Sequence, residues 1–328
     1  MEIKKFEPSM INDVINLWNE SVCPHSVYAP FSAETFRAKF LDNPHFDEDG
    51  LLVAVKEGKI IGFGNAVYNN QGKDPRETPG YVTCVAVDKN YWRRGIGTKI
   101  LLALEDFLKG KGKTYVRCLF FNPVKLEWLV PGYDRHEHPN APAIPFNSPF
   151  YFLLLANGYN VNGQEDAYHV NLSEYKLPDA VVKRMKANAE EGYTITLYDP
   201  EKHYGFDELF DALKNEDWRR QIGDNLKKEK PAPVIIAQKD GEILGFTGPL
   251  ATMPSGRAFL AGLGVHPKAQ RRGLGKALFC MLCEESKNNG AKFMTLHTGA
   301  ANPAREIYLY AGMRVVQSFA IMRKELVK

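Results

Sequence analysis

Hydrophobic positions along the chain switch between two periods, and this switching predicts a mixed α/β protein. Val14, Ile15, Leu17 and Trp18 recur at the spacing of one helix face. The runs 51–55 and 60–68 are apolar and joined by a Glu57-Gly58-Lys59 turn, which predicts a β-hairpin. Later segments alternate between buried-strand composition and helical periodicity.

The order of predicted elements occurs twice. Strand, two helices, hairpin, strand, helix, strand, helix and closing strand follow one another over 1–172 and again over 193–328. We therefore predict an N-terminal domain at 1–172, a linker helix at 173–192 and a C-terminal domain at 193–328. The first copy carries an extra proline-rich stretch at about 126–146, which predicts an inserted loop.

One motif marks the centre of each copy. The apolar run 85–87 leads into Trp92-Arg93-Arg94-Gly95-Ile96-Gly97, and 262–265 leads into Gln270-Arg271-Arg272-Gly273-Leu274-Gly275-Lys276. Corresponding glycines lie 178 residues apart (95 to 273 and 97 to 275). A strand that enters a helix through glycines presents free N–H groups and a positive dipole end, which favours a phosphate.

The pattern lacks the GxxxxGK[ST] spacing of a Walker loop and the GxGxxG spacing of a dinucleotide fingerprint. It indicates a phosphate-binding turn of another kind. The alternative interpretation is a glycine-started helix whose arginines are solvated. Periodicity alone leaves both open.

The second copy resembles the GNAT acetyltransferase superfamily. Residues 270–275 match its Q/R-x-x-G-x-G/A acyl-CoA signature, preceded by Val265-His266-Pro267. The segment from Asn302 through Tyr308 to Gly312-Met313 is similar to the family's N-x-A-x-x-x-Y-x-x-x-G-F element, with Met in place of Phe. The resemblance implies two tandem GNAT-like α/β units (α+β type), each a mixed, largely antiparallel sheet with flanking helices.

The resemblance also implies a site. The amides of 270–275 would hold the pyrophosphate of acetyl-CoA, the backbone of Leu263 and Val265 would pair with the pantetheine arm, and the next strand would splay away. Tyr308 would be the general acid for the leaving thiolate. The implied coenzyme-binding residues are Leu263, Val265, Gln270, Arg271, Arg272, Gly273, Leu274, Gly275, Lys276 and Asn302, and in the first copy Val85, Val87, Arg93, Arg94, Gly95 and Gly97.

The general base has one candidate, His297, at the end of the strand that would flank the splay. Imidazole titrates nearest to neutral pH and suits the removal of a proton from an amine. A structural histidine with a satisfied hydrogen bond is the alternative.

The first copy departs from the family pattern at two positions. Trp92 stands where the motif has Gln or Arg, and alignment of Gly158 with Gly312 places Leu154 opposite Tyr308. Leucine cannot donate a proton, and Tyr151 lies one turn away. We therefore assign catalysis to the second copy.

Composition excludes several classes of function. The chain has 328 residues, 25% of them charged, and a net charge of +3, which favours neither nucleic acid nor membrane partners. Five cysteines, an odd number, and the lack of a signal-like or membrane-spanning run predict a cytoplasmic protein with reduced thiols. Cys280-x-x-Cys283 has zinc spacing but falls within a predicted helix, which favours a core face over a metal site. Asp134, His136 and His138 lack a fixed ligand spacing, so we predict no metal.

These observations predict transfer of an acetyl group from acetyl-CoA to a primary amine of a small molecule, by direct attack in the C-terminal domain. Glu216, Asp217 and Trp218 lie where the family contacts acceptors and could receive a cationic amine, but we predict a solvated helix face for them. Two rival hypotheses remain: a non-catalytic acyl-CoA-binding sensor, and a transferase with another acyl donor or acceptor atom.

Overall fold

The computed structural model describes residues 1–326, in which β-sheets are flanked by helices as predicted. The strands are β1 (Glu2–Lys5), β2 (Leu51–Lys56), β3 (Lys59–Tyr68), β4 (Gly80–Val87), β5 (Tyr115–Cys118), β6 (Trp128–Leu129), β7 (Glu137–His138), β8 (Ile144–Pro145), β9 (Asn160–Asn171), β10 (Thr194–Leu197), β11 (Ile235–Lys239), β12 (Glu242–Gly248), β13 (Gly262–Val265), β14 (Phe293–Gly299) and β15 (Arg314–Glu325). The α-helices are α1 (Ile11–Ser21), α2 (Ala33–Phe36), α3 (Ile96–Gly110), α4 (Pro149–Ala156), α5 (Asp179–Glu190), α6 (Phe206–Leu213), α7 (Glu216–Leu226), α8 (Leu274–Asn288) and α9 (Arg305–Tyr310).

The chain forms two compact units whose limits differ from those of the sequence repeats. Of the described residues, unit 1 comprises 1–166 and 317–326, and unit 2 comprises 167–316. The cause is strand pairing: β15, the last strand of the second repeat, pairs antiparallel with β5 of the first, with Met322 opposite Cys118. Strand β9, the last of the first repeat, continues into unit 2. The boundaries at 172 and 193 stay a prediction about where the duplicated segments meet.

The sheet of unit 1 is mixed and mostly antiparallel. Strands β1 to β4 are joined as antiparallel neighbours, β4 pairs parallel with β5, and β15 follows β5. Strand side chains alternate between two cores, so that Val53 packs with α1 and α2 while Ala54 packs with α3 and α4. This alternation explains the nearly continuous apolar runs of β2 to β4, because both faces are covered.

The inserted stretch predicted at 126–146 is ordered on unit 1. It forms β6 and β7, which pair with each other, and β8, which pairs with β15. The Trp128 side chain is fully buried, with its ring 5.3 Å from that of Phe319. Burial of this large side chain fixes the insert against the sheet.

Unit 2 repeats the same layers. Strands β10 to β13 form an antiparallel sheet, with α6 and α7 against one face and α5, α8 and α9 against the other. The side chain of Ile236 lies in the core with α6 and α7, and that of Ile235 lies in the core with α8. In the linker, Val181 of α5 is buried in this second core.

Both units contain diverging parallel strands. In unit 1, β4 and β5 pair only at Gly80–Val116 and Tyr81–Arg117. In unit 2, a single parallel bridge joins Arg257 to Phe293, after which β13 pairs with β12 and β14 lies beside β9. Each sheet therefore opens at the level of the glycine motif.

An ion pair holds the closing strand of unit 1. Lys324 of β15 donates to both carboxylate oxygens of Glu105 on α3, at 2.9 and 2.7 Å. The Glu105 side chain is 3% exposed, so its charge depends on this partner.

Loss of one partner of this pair should destabilise the protein. We expect Lys324→Met to lower the free energy of unfolding by about 3–5 kcal/mol, because it leaves a buried carboxylate unpaired. The double variant Glu105→Leu/Lys324→Met should recover most of that loss. Urea denaturation measures both, and equal destabilisation of the single and double variants would contradict the explanation.

Candidate functional site

The two glycine loops have the same backbone conformation. Arg93 and Gly95 have φ values of 60° and 74°, and Arg271 and Gly273 have 64° and 77°. Each glycine is the N-cap of the following helix, α3 or α8. A left-handed residue followed by right-handed helix turns successive N–H groups toward one side and forms an anion-binding nest. Glycine adopts this conformation without strain, whereas the arginine at φ of about 60° does so at a cost.

The second glycine of each motif, Gly97 or Gly275, packs against an equivalent side chain in the two units. A methyl group at Gly97 would lie 3.1 Å from Leu153, and one at Gly275 would lie 3.4 Å from Ile307. Leu153 and Ile307 occupy corresponding positions in α4 and α9. The packing therefore supports the alignment that places Leu154 opposite Tyr308.

Trp92 preserves a contact of the motif that it alters. Its indole N–H donates to the carbonyl of Val87 at 2.7 Å, and the side-chain amide of Gln270 donates to the carbonyl of Val265 at 3.3 Å. Both bonds fix the turn to the last residue of the preceding strand. Sequence comparison treats Trp92 as a departure, but the geometry shows the same hydrogen bond from a different side chain.

The cations around the second loop differ in their surroundings. Arg272 forms an ion pair with Glu191, its guanidinium lies 4.4 Å from the centroid of the Tyr193 ring, and its carbonyl accepts from Arg184 at 2.9 Å. The Nζ atom of Lys276 lies 4.3 Å from the centroid of the Tyr310 ring. Within residues 1–326, the Arg271 side chain makes no hydrogen bond or ion pair. Arg271 is therefore the cation of this loop that can turn toward a phosphate.

Tyr308 lies on α9 among aromatic side chains of unit 2. Its ring centroid is 4.9 Å from that of Phe279 and 5.6 Å from that of Tyr168. Burial, with a smaller contribution from Tyr168, raises the pKa of the Tyr308 phenol above its ordinary value. The phenol is thus held in its protonated form, which is the form a proton donor needs.

The other predicted residues of this site lie along the strand and turn that precede α9. His297 is half-buried on β14. The Asn302 amide donates to the Thr298 hydroxyl at 2.8 Å and its oxygen accepts from the Ala304 N–H at 3.0 Å. Asn302 therefore fixes the entry into α9, which carries Tyr308. Leu263 and Val265 lie on β13, beside the opening between β13 and β14.

Trp218 lies on the face of the unit 2 sheet that packs against α6 and α7, opposite to the face that packs against α8 and α9. A methyl group at Gly262 would overlap the Trp218 Nε1, and one at Gly264 would lie 3.3 Å from its ring. The indole therefore lies directly against the strand backbone. The prediction of a solvated helix face fits only Glu216 and Asp217, whose side chains are 78% and 73% exposed and paired with arginines. It is wrong for Trp218, whose contact with two glycines is visible only in three dimensions.

Unit 1 holds a cavity at its own glycine loop. The cavity has a volume of about 540 Å³ and is predominantly apolar. Its lining comprises Val85, Val87, Tyr91, Trp92, Arg93, Gly95, Ile96, Gly97, Thr98, Pro149, Phe150, Phe152, Leu153 and Ala156. This lining includes five of the six residues predicted to bind coenzyme in the first copy, while Arg94 instead lies 5.4 Å from the centroid of the Tyr91 ring. Sequence reasoning missed the aromatic wall from α4.

The cysteines and histidines considered as metal ligands are engaged in packing, hydrogen bonding or ring stacking. Cys280 and Cys283 are fully buried in the core of unit 2, in agreement with a core face. In the inserted stretch, the His138 Nδ1 lies 2.9 Å from the Asn140 carbonyl and the His136 ring stacks on that of Tyr133. Among residues 1–326, the structure places no group of three or more His, Cys, Asp or Glu side chains that could hold a metal. In the same range, no helix is long and apolar enough to cross a bilayer.

Comparison with known families decides the identity of the repeated unit. Residues 13–123 and 193–313 each match the sequence profile of the acetyltransferase (GNAT) family, and together they cover well over half of the chain. The chain belongs to the acetyltransferase (GNAT) family. It contains two GNAT units, as the duplicated motif predicts. No curated protein matches the sequence.

Solved structures share the fold across the whole chain. A GCN5-related glucosamine N-acetyltransferase region of a fungal multi-domain β-N-acetylglucosaminidase aligns with 98% of this chain, at a TM-score of 0.69 and 15% identity; this chain spans 38% of that protein. A GCN5-related N-acetyltransferase from Sphaerobacter thermophilus aligns over 99% of this chain and 95% of its own, at a TM-score of 0.62 and 16% identity. A tandem GNAT protein from the clavulanic acid biosynthesis pathway aligns over 99% of this chain and 98% of its own, at a TM-score of 0.57 and 13% identity. At these identities the likeness concerns the fold.

The contact between Trp218 and β13 generates a prediction. We expect Gly262→Ala to lower the free energy of unfolding by about 1–3 kcal/mol, because a methyl group would overlap the indole. Gly223→Ala, on a helix position with open space around it, should leave stability unchanged or raise it by up to about 1 kcal/mol. Thermal and urea denaturation compare the two. A Gly262→Ala variant with an unchanged free energy of unfolding would show that the indole does not lie on this strand.

Proposed function

We propose that the protein transfers the acetyl group of acetyl-CoA to a primary amine of a small molecule, and that unit 2 carries the chemistry. The observation that supports this most directly is the placement of Tyr308. It lies on the same short helix as Ile307, which packs at Gly275 of the glycine loop, and its pKa is raised by burial. The phenol is therefore protonated, and its residue directly follows Ile307, which contacts the predicted coenzyme loop.

The residues of the second loop fit an acyl-CoA. The left-handed Gly273 and the start of α8 offer backbone N–H groups to the pyrophosphate, and Gly275 lets Ile307 of α9 pack close to the start of that helix. Arg271 supplies a cation that is unengaged within residues 1–326. Leu263 and Val265 on β13 offer backbone groups at the edge of the opening toward β14.

In the proposed reaction a neutral amine attacks the thioester carbonyl, so that the N–C bond forms and the C–S bond breaks. Tyr308 donates its phenolic proton to the leaving sulfur, and His297 accepts the proton that the new ammonium group loses. Positioning both partners within the opening between β13 and β14 supplies the largest part of the rate gain. General acid and base catalysis adds to it.

The acceptor side of the opening is formed by α7. Trp218 covers the strand backbone there, and an indole face suits a small amphipathic amine. The fungal neighbour is described as a glucosamine N-acetyltransferase region, so amino sugars belong in the first panel of acceptors. A cytoplasmic location is part of this proposal and agrees with five free cysteines.

Substitution of the acid tests the proposal. We expect Tyr308→Phe to lower kcat about 10²- to 10⁴-fold with a KM for acetyl-CoA close to that of the parent, because only proton donation is lost. Tyr204→Phe removes a hydroxyl from an exposed tyrosine of unit 2 and serves as the control. Release of CoA thiol against a panel of amines gives both constants. An unchanged Tyr308→Phe variant would remove Tyr308 from the mechanism, and no turnover with any amine would favour the sensor hypothesis.

The raised pKa of Tyr308 gives a pH dependence. Because the group stays protonated beyond the ordinary tyrosine value of about 10, the rate should not fall through loss of its proton below about pH 10. In Tyr308→Phe any decline that the phenol causes above that pH should disappear. A basic limb that is the same in both proteins would assign it to another group.

Charge at the second glycine loop tests coenzyme placement. Gly275→Glu should abolish acetyl transfer, because a carboxylate would face the pyrophosphate. Gly275→Ala is the steric control, since its methyl group meets Ile307 at an ordinary contact distance of 3.4 Å. Calorimetric titration with acetyl-CoA separates loss of binding from loss of catalysis. Equal affinity of the two variants would show that the pyrophosphate lies elsewhere.

A further inference from the structure

We propose that α5, the helix of the predicted linker, is a working part of unit 2: Arg184 and Asn188 are positioning residues that aim the N–H group of Gly273 at the bound anion. The inference rests on the proposed function for the identity of that anion, the pyrophosphate of acetyl-CoA. It concerns two residues that lie outside the glycine motif. Its basis is one backbone oxygen, that of Arg272, on which both side chains converge.

The two side chains of α5 donate to the same carbonyl. The Arg184 Nε donates to the Arg272 oxygen at 2.9 Å, and the Asn188 Nδ2 donates to it at 3.1 Å. The two residues are four positions apart and therefore share one face of the helix. The aliphatic part of Arg184 also packs on the loop, because a methyl group at Gly273 would lie 3.3 Å from its Cγ. The carbonyl of Arg272 is thus held in the direction of α5.

A fixed carbonyl at Arg272 fixes the N–H group of the next residue. The two groups belong to one planar trans peptide, in which they point in opposite directions. Since the carbonyl faces α5, the Gly273 N–H faces away from it. Within residues 1–326 this N–H makes no hydrogen bond. It belongs to the left-handed residue of the nest and is free to donate to an anion.

The contacts with α5 also strengthen the N–H group as a donor. A guanidinium that donates to a carbonyl polarises the peptide, and hydrogen bonds in a chain reinforce one another. A peptide that already has its bound orientation loses less conformational freedom when the ligand arrives. Arg184 therefore acts on the anion through the peptide, without a contact of its own.

The burial of Asn188 points to the same role. Val181 and Asn188 are the buried residues of α5, and Asn188 is 2% exposed. A buried amide costs free energy unless it is hydrogen-bonded, whereas an apolar side chain packs without that requirement. A helix that served only to connect the repeats and cover the core would gain more from an apolar residue here. The amide supplies a donor to the loop instead.

The residues that follow α5 hold the side chain of Arg272 as well. Its guanidinium pairs with Glu191 and lies 4.4 Å from the centroid of the Tyr193 ring. Glu191 is itself held, since its carbonyl accepts from the Lys239 Nζ at 3.0 Å. Both the backbone and the side chain of Arg272 are therefore fixed on the α5 side of the loop.

Unit 1 provides an internal comparison. Its loop has the same left-handed φ values, yet no side chain within residues 1–326 donates to the carbonyl of Arg94. A methyl group at Gly95 would lie more than 4 Å from every other segment of the described chain. The loop thus adopts its conformation without a helix like α5. We conclude that the two donors of α5 serve something other than the folding of the turn.

Removal of each donor tests the effect on binding. Asn188→Leu keeps a side chain of similar size, and we expect it to raise the Kd for acetyl-CoA at unit 2 about three- to tenfold, the effect of one hydrogen bond. Arg184→Met should act in the same direction and, at an exposed position, leaves the core intact. Arg184→Lys keeps a cationic donor and should recover part of the affinity. Titration of ¹⁵N-glycine-labelled protein, followed at the Gly273 amide signal, measures the Kd of this loop.

A variant of α5 that keeps both donors is the matched control. Val181→Ala removes packing between α5 and the core, so it should lower the temperature of unfolding and leave the Kd unchanged. Affinity lost equally in Val181→Ala and in the donor variants would reduce α5 to a structural support and overturn the inference. Parent-like affinity in Asn188→Leu and Arg184→Met would overturn it as well.

The mobility of one amide tests the inference without any ligand. In the free parent protein, the order parameter of the Gly273 N–H should be close to the value of about 0.85 for rigid backbone. The double variant Arg184→Met/Asn188→Leu should lower it, because the peptide can then rotate. Gly95, in the loop without these donors, is the internal reference and should keep its value. An unchanged order parameter of Gly273 in the double variant would overturn the inference.

The outcomes separate this inference from the proposed function. If the Gly273 signal of the parent protein does not respond to acetyl-CoA, the placement of the coenzyme in unit 2 fails, and this inference fails with it. If the parent binds and the donor variants bind equally well, the inference about α5 alone is overturned. Weaker binding in the donor variants, with normal binding in Val181→Ala, supports both.

Discussion

A left-handed glycine at the first turn of a helix is the constraint on which both halves of this protein depend. Gly95 and Gly273 have φ values of 74° and 77°, and each stands between a turn anchored to a strand and a helix that begins at once. The conformation leaves the first N–H groups of the helix pointing outward. Every other feature of the candidate sites is arranged around those groups, including the strand openings, the α4 or α9 wall and the free arginine.

The two units keep this turn and differ in what faces it. Unit 2 has a phenol with a raised pKa on α9, and the indole of Trp218 lies against the backbone of β13. Unit 1 has Leu154, a filled opening and a predominantly apolar cavity at its glycine loop. Duplication followed by divergence of the acceptor side would give this result, because binding of the coenzyme needs the backbone while transfer needs particular side chains.

Much of the fold could be predicted because its local signals agree with its tertiary structure. The helix with Val14 and Trp18, the hairpin around Gly58 and the helices after the glycine motifs all formed near their predicted positions. Strand β5 ends at Cys118, since the chain turns away at Leu119 to fill the opening. Strand β13 begins only at Gly262, because Arg257 and Ala258 before it pair with Phe293.

Features that depend on long-range pairing were beyond the sequence. Nothing in the pattern of β15 shows that it pairs with β5, 200 residues earlier, or that Lys324 neutralises Glu105. The equivalence of Trp92 and Gln270 needed the two carbonyls, at Val87 and Val265, that accept their hydrogen bonds. The resemblance supplied the roles of Tyr308 and His297, and these roles stay predictions.

Hydrogen–deuterium exchange of the full chain with and without acetyl-CoA tests the central claim most directly, because it reads each glycine loop separately. The account predicts slower exchange of the amides at 93–98 and at 271–276 when acetyl-CoA is bound. If saturating acetyl-CoA left the exchange rates of both loops unchanged, the result would contradict the claim that these turns bind the coenzyme.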